Sequence, residues 1–120
     1  MALVLTETKV YSRYNSRNFY KFVWDNLDQA DTAPVDVHIP SSVKFKMKVV
    51  GNFGAGGNVK LQGSIDAITW DYLNDSDGSL IMFAAAGEKE VLKDHVFCYL
   101  RPIVSAGTGV DVDVTILAIP

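Results

Sequence analysis

The chain has 120 residues, of which 48% are apolar, 21% charged and 11% aromatic, enough for one packed core and too little for two. That composition excludes general disorder. Eleven Lys and Arg against fourteen Asp and Glu leave a net charge of −3, which excludes a general polyanion binder.

Residues 1–17 fit a strand scheme poorly. The run Val10-Tyr11-Ser12-Arg13-Tyr14-Asn15-Ser16-Arg17 mixes aromatics with arginines, a composition suited to contacting a partner rather than filling a core. It reads as an N-terminal arm over 1–17, ahead of a single domain over 18–120; the alternative is a short edge strand on that same domain. From about residue 35 the dominant period is two, which marks strands. In Val43-Lys44-Phe45-Lys46-Met47-Lys48-Val49 the apolar side chains alternate with lysines, placing Val43, Phe45, Met47 and Val49 on a core face. Residues 59–65 repeat the alternation after a glycine-rich connection, and the two segments read as a hairpin that would bring Lys60 beside Lys44, Lys46 and Lys48.

Strands are also expected over residues 19–25, 35–39, 69–73, 80–85 and 90–92. Residues 95–104 form another, with Pro102 pointing to an edge or a bulge because it has no N–H to donate. The last, over 110–118, has Val110, Val112, Val114 and Ile116 alternating with Asp111, Asp113 and Thr115. Its glycine turn predicts pairing with the strand before it. Together this is an all-β chain, a single antiparallel β-sandwich of the jelly-roll kind with an N-terminal arm.

Charge is uneven along the chain: residues 1–60 carry eight basic and five acidic side chains, residues 61–120 three and nine. The single cysteine, Cys98, forms no intrachain disulfide and reads as a small buried hydrophobe. No basic segment precedes the short apolar run at the start, which Glu7 interrupts, so no secretion signal is expected. No apolar stretch approaches the roughly 20 residues of a membrane span. The expectation is a soluble protein made in a reducing cytoplasm.

The catalytic inventory is thin. The glycines at 51, 54, 56 and 57 are followed by a strand, whereas a phosphate cradle needs a helix N-terminus. Asn74-Asp75-Ser76-Asp77-Gly78 has the look of a calcium loop, but counting back from Gly78 puts Leu73 at the first ligand position, so it reads as a turn. His38 and His95 have no metal-ligand spacing around them. Asp36 and His38 share a strand face, yet no serine sits in a nucleophile elbow. No catalytic, cofactor or metal residue is assigned, and the chain reads as non-enzymatic. Lys44, Lys46 and Lys48 form a basic stripe without interleaved aromatics to stack bases, so nucleic acid is not expected there; a solvated face or contact with an acidic protein surface remains.

One stretch carries a resemblance. In Gln62-Gly63-Ser64-Ile65-Asp66-Ala67-Ile68-Thr69-Trp70-Asp71-Tyr72-Leu73 a strand ends at Ser64, Asp66 opens a tight turn and Trp70 returns as an apolar anchor. With the turn at Gly78, then Tyr99-Leu100-Arg101-Pro102-Ile103-Val104 and a closing glycine turn, this order resembles the capsid decoration, or cement, proteins of tailed bacteriophages. The resemblance spans roughly residues 43–118. The same order is similar to discoidin-like carbohydrate-binding or lipid-binding modules, which are usually longer and often secreted. Ala67 stands where many such turns have glycine, a left-handed position less comfortable for alanine.

The phage resemblance implies a non-enzymatic virion structural protein on the capsid exterior, made in the host bacterial cytoplasm. It implies binding in many copies to the major capsid protein, bridging neighbouring subunits, commonly as a homotrimer, with no cofactor, nucleic acid or membrane partner. Trp70 and Arg101 are fold residues under it. Capsid contacts are then expected at Tyr11, Arg13, Tyr14 and Arg17, with Lys44, Lys46 and Lys48 second, because aromatics and arginine carry interface energy disproportionately. The alternatives are a carbohydrate-binding module of a phage fibre or baseplate, with Phe53 or Tyr72 at its site, and a head-completion or tail component.

Overall fold

The computed structural model describes residues 4–11, 18–32, 34–38, 44–92 and 97–119, with side chains from residue 21 to residue 118 within those ranges. Two antiparallel sheets pack face to face. The first runs in the order β1 (Val4–Tyr11), β2 (Asn18–Leu27), β10 (Asp111–Ile119), β4 (Lys44–Asn52), β8 (Gly87–Glu90). The second runs β3 (Val37–His38), β9 (Tyr99–Thr108), β5 (Ala55–Ser64), β6 (Asp71–Tyr72), and β7 (Met82–Phe83) also pairs with β5. Setting β1 and β7 aside, the strands wind in the order of a jelly roll: the first and last of them are neighbours in one sheet, the second and the last but one in the other.

Alternation dictates the core. Phe45, Met47 and Val49 of β4 point inward with Val112, Val114 and Ile116 of β10, against Val59 and Leu61 of β5 and Leu100 and Val104 of β9. Val43 lies outside the described residues. Trp24 is fully buried and its indole N–H donates to the Val35 carbonyl at 2.7 Å, so its polar edge is satisfied where the rest of the ring is dry. Opposite Asp113 the β2–β10 register shifts at Asp25 and Asn26. Asn26 adopts a φ of 55° and its N–H donates to the Asp113 carboxylate at 3.0 Å, a bulge held by a side chain from the partner strand.

Several sequence expectations are corrected. Segments 43–49 and 59–65 are not a hairpin: β4 and β5 belong to different sheets, and so do β9 and β10. Both glycine-rich connections are corners that cross the sandwich, and they pack backbone on backbone. A Cβ on Gly57 would overlap the Phe53 carbonyl oxygen, and one on Gly107 would overlap Gly57 itself. Residues 4–11, for which the sequence left open an arm over 1–17 or an edge strand, form an edge strand paired along its length with β2, from Val4 opposite Asp25 to Tyr11 opposite Asn18. An unspent row of backbone donors on β2 is what that strand satisfies. Pro102 lies in the interior strand β9, but the ladder with β3 stops at Leu100 opposite Val37, so the missing N–H interrupts no bond on that side. Cys98 is exposed rather than buried, and its backbone N–H bonds the Ser64 carbonyl at 2.8 Å.

Candidate functional site

The two outer faces differ in chemistry. On the first sheet Lys44, Lys46 and Lys48 are exposed along β4, as alternation predicts. The neighbouring strand β8 sets Glu90 opposite Lys46 and Glu88 opposite Lys48, and Lys46 pairs with Glu88 at 2.9 Å. That bond lifts the Lys46 pKa and lowers that of Glu88. The basic stripe is thus flanked by carboxylates. Lys60 is not part of it, since it lies on the second sheet opposite Ile103 and Met82.

On the second sheet, β5 and β9 turn Lys60, Gln62, Arg101 and Ile103 outward, and β6 adds Tyr72 opposite Gln62. The Arg101 Nε–H donates to Gln62 Oε1 at 2.8 Å, and the guanidinium lies 4.1 Å from the centroid of the Trp70 ring, a stacked cation–π contact. Burial lowers the Arg101 pKa from its ordinary value, with attraction from Asp36 opposing. Among the described residues no carboxylate comes within ion-pair distance of it. Trp70 is only half-buried, so it is a surface platform for Arg101 and not the core anchor the sequence suggested. Nearby, the Lys60 ammonium sits 4.9 Å from the Tyr72 ring, and His38 meets Tyr99 edge-on at 5.2 Å. No hydrogen bond joins His38 to Asp36 among the described residues.

The turn beyond β5 explains its own shape. Ser64 Oγ accepts the N–H groups of Asp66 and Ala67 and donates to Asp66 Oδ1, which also takes the N–H groups of Ile68 and Thr69 at 2.9 Å each. These bonds hold Ala67 at a φ of 62°, offsetting the roughly 1–2 kcal/mol that a left-handed residue costs. Donation from Thr69 and Ile68 holds the Asp66 carboxyl below the usual aspartate range. With its polar groups turned on themselves, the turn presents Ile65 and Ile68 to water, 67% and 82% exposed. Beside them, Asp66, Thr69, Asp71 and Tyr72 line a cleft of about 410 Å³.

Asp75, by contrast, is buried, and its Oδ1 accepts the N–H groups of Asp77 and Ser79 while Oδ2 faces Lys89 at 3.8 Å. This carboxylate is committed to the turn at 74–78. Of the expected contact residues, Tyr11 ends β1 and Arg13, Tyr14 and Arg17 lie outside the described residues, as does His95. Phe53 packs partly buried against the core. The Arg101–Trp70 stack was within reach of the sequence as residues, though not as a pair: nothing in a local pattern joins positions in separate strands.

No family model and no curated protein matches the chain. Among solved structures, the chain is similar to a carbohydrate-binding module of the lichenase 5A of Cellvibrio mixtus, solved in complex with cellotriose. The match has 10% identity, covers 98% of this chain and 87% of that one, and has a TM-score of 0.24; a superposition that loose carries no argument about function.

Proposed function

We propose that the protein is a non-enzymatic virion structural protein that decorates a tailed-phage capsid and stabilises it by bridging neighbouring major capsid protein subunits. The observation that carries the reading is the exposed apolar border of the second sheet: Ile65, Ile68, Tyr72 and Met82 face solvent around the Arg101–Trp70 stack. Exposed apolar side chains grouped with Tyr, Trp, Met and Arg are what protein interfaces are made of. Weak contacts of this kind become firm when many copies engage a lattice. Tyr11, Arg13, Tyr14, Arg17 and the lysines of β4 supply the second subunit contact that bridging requires.

The test is co-sedimentation of the purified chain with expanded capsids that lack their decoration protein. Saturable binding of the wild type, lost on Ile65→Ser with Ile68→Ser and weakened on Lys44→Gln with Lys48→Gln, is the expected result. Light scattering should give three times 13.2 kDa for a trimer seated on local three-fold positions. A second reading, a glycan-binding module, is favoured by the cleft beside Tyr72. Glycan-array binding with no capsid association would replace the first reading with it.

A further inference from the structure

Arg101 is half-buried, yet among the described residues its bonding is spent on one side only. Nε–H goes to Gln62, itself 8% exposed, and the guanidinium carbon lies over the Trp70 ring. The two terminal amino groups donate to nothing among the described residues. A guanidinium presents five N–H donors in a planar fork that matches a carboxylate, and here the plane is already fixed by the stack and by Gln62. Two residues before Gln62 on the same strand face, about 6.6 Å along an extended chain, Lys60 is laid over Tyr72, again with no ion pair among the described residues. Asp36 and Asp71 are the nearest acidic positions in register, one beyond the start of β3 and one opposite Gly63 on β6, and neither closes on these cations.

We infer that Arg101 and Lys60, each seated on an aromatic ring, form a recognition site for carboxylates carried by an extended acidic segment of a protein partner. The inference rests on reading this sheet as the docking face. The partner is acidic because neither cation has an ion pair among the described residues, Asp36 attracting Arg101 from beyond ion-pair distance. It is a peptide and not an acidic sugar because exposed apolar side chains adjoin the site, Met82 opposite Lys60 and Ile65 in one cleft with Tyr72. Alternate side chains of an extended segment repeat at about the spacing of Lys60 and Gln62, so one carboxylate can take the Arg101 fork while the next reaches Lys60.

The experiment is a titration of the full chain followed by NMR at the Arg101 Nε–H and the Trp70 indole N–H, with a capped Glu-Ser-Glu-Ser-Glu peptide as probe. The glutamate peptide should shift both signals saturably, and its glutamine counterpart should not. Arg101→Lys, which keeps the charge and loses the planar fork, should weaken binding by about tenfold or more, and Lys60→Gln by a few-fold. Unchanged amide spectra outside the site would show that both variants fold. Shifts from trigalacturonate with none from the peptide overturn the assignment in favour of an acidic sugar. No shift from either probe makes Arg101 a fold residue and overturns it as well. Folded Arg101→Lys that binds capsids at wild-type strength removes this site and leaves capsid decoration standing, whereas wild-type protein that never binds capsids fails the docking reading instead.

Discussion

Adjacent glycines in the β4–β5 corner should respond to the same substitution in opposite degree. Gly56 has a φ of +65° with nothing within 4 Å of an added Cβ, so Gly56→Ala carries only the backbone cost of the left-handed region, roughly 1–2 kcal/mol. Gly57 has no such φ, but its added Cβ would overlap the Phe53 carbonyl oxygen and stand 2.8 Å from Val110 Cγ2. The obstructing atom is backbone and Val110 is 3% exposed, so relief requires the crossing itself to move. Overpacking of that kind costs about 3 kcal/mol or more, a large share of the roughly 5–15 kcal/mol that holds a domain of this size. Urea titrations at constant m-value read the difference directly. Were the corner an ordinary hairpin loop, Gly57→Ala would be the milder change. A Gly57→Ala protein within about 1 kcal/mol of wild type, or one more stable than Gly56→Ala, would refute the packed-corner account.

Two further outcomes follow from the same geometry. Trp24→Phe removes a fully buried indole and the bond to the Val35 carbonyl, and should lower stability by about 2 kcal/mol in denaturant titration. Asp66 has a folded pKa depressed by the Thr69 and Ile68 N–H groups and the Ser64 hydroxyl. Its contribution is therefore complete above the unfolded aspartate value of about 3.9 and is lost as pH falls through the lower folded value. Thermal melts of Asp66→Asn should be less stable at neutral pH and should lack the wild type's decline in that acid window; a parallel decline in both proteins would remove Asp66 as its cause.

Alternation told which side of each strand is buried, and did so well: Phe45, Met47 and Val49, and Val112, Val114 and Ile116, all fall on the core face. A period of two is silent about which strand lies alongside. Glycine-rich connections such as 51–58 and 106–109 look the same whether they close a hairpin or carry the chain from one sheet to the other, and the inference of local pairing failed at both. The missed signal was the density of glycine, four within 51–57, where a two-residue turn needs one. Backbone packed against backbone, as at Gly57 and Gly107, is what consumes the others.

The residue types of the candidate site were legible in the sequence, but their neighbours across strands were not. Three lysines at alternate positions make β4 the most conspicuous basic feature of the sequence, yet the jelly roll brings Glu88 and Glu90 beside it from a strand some forty residues later. Trp70 read as an apolar anchor, and under the phage resemblance both Trp70 and Arg101 read as fold residues. Topology reverses the weighting. On the second sheet the neighbours of Arg101 and Lys60 are Trp70 and Tyr72, which orient a cation without neutralising it, and a cation oriented but not neutralised retains its attraction for an incoming anion. On the proposed reading a partner is therefore sought first at cations that have no ion pair among the described residues, and second at the lysines of β4.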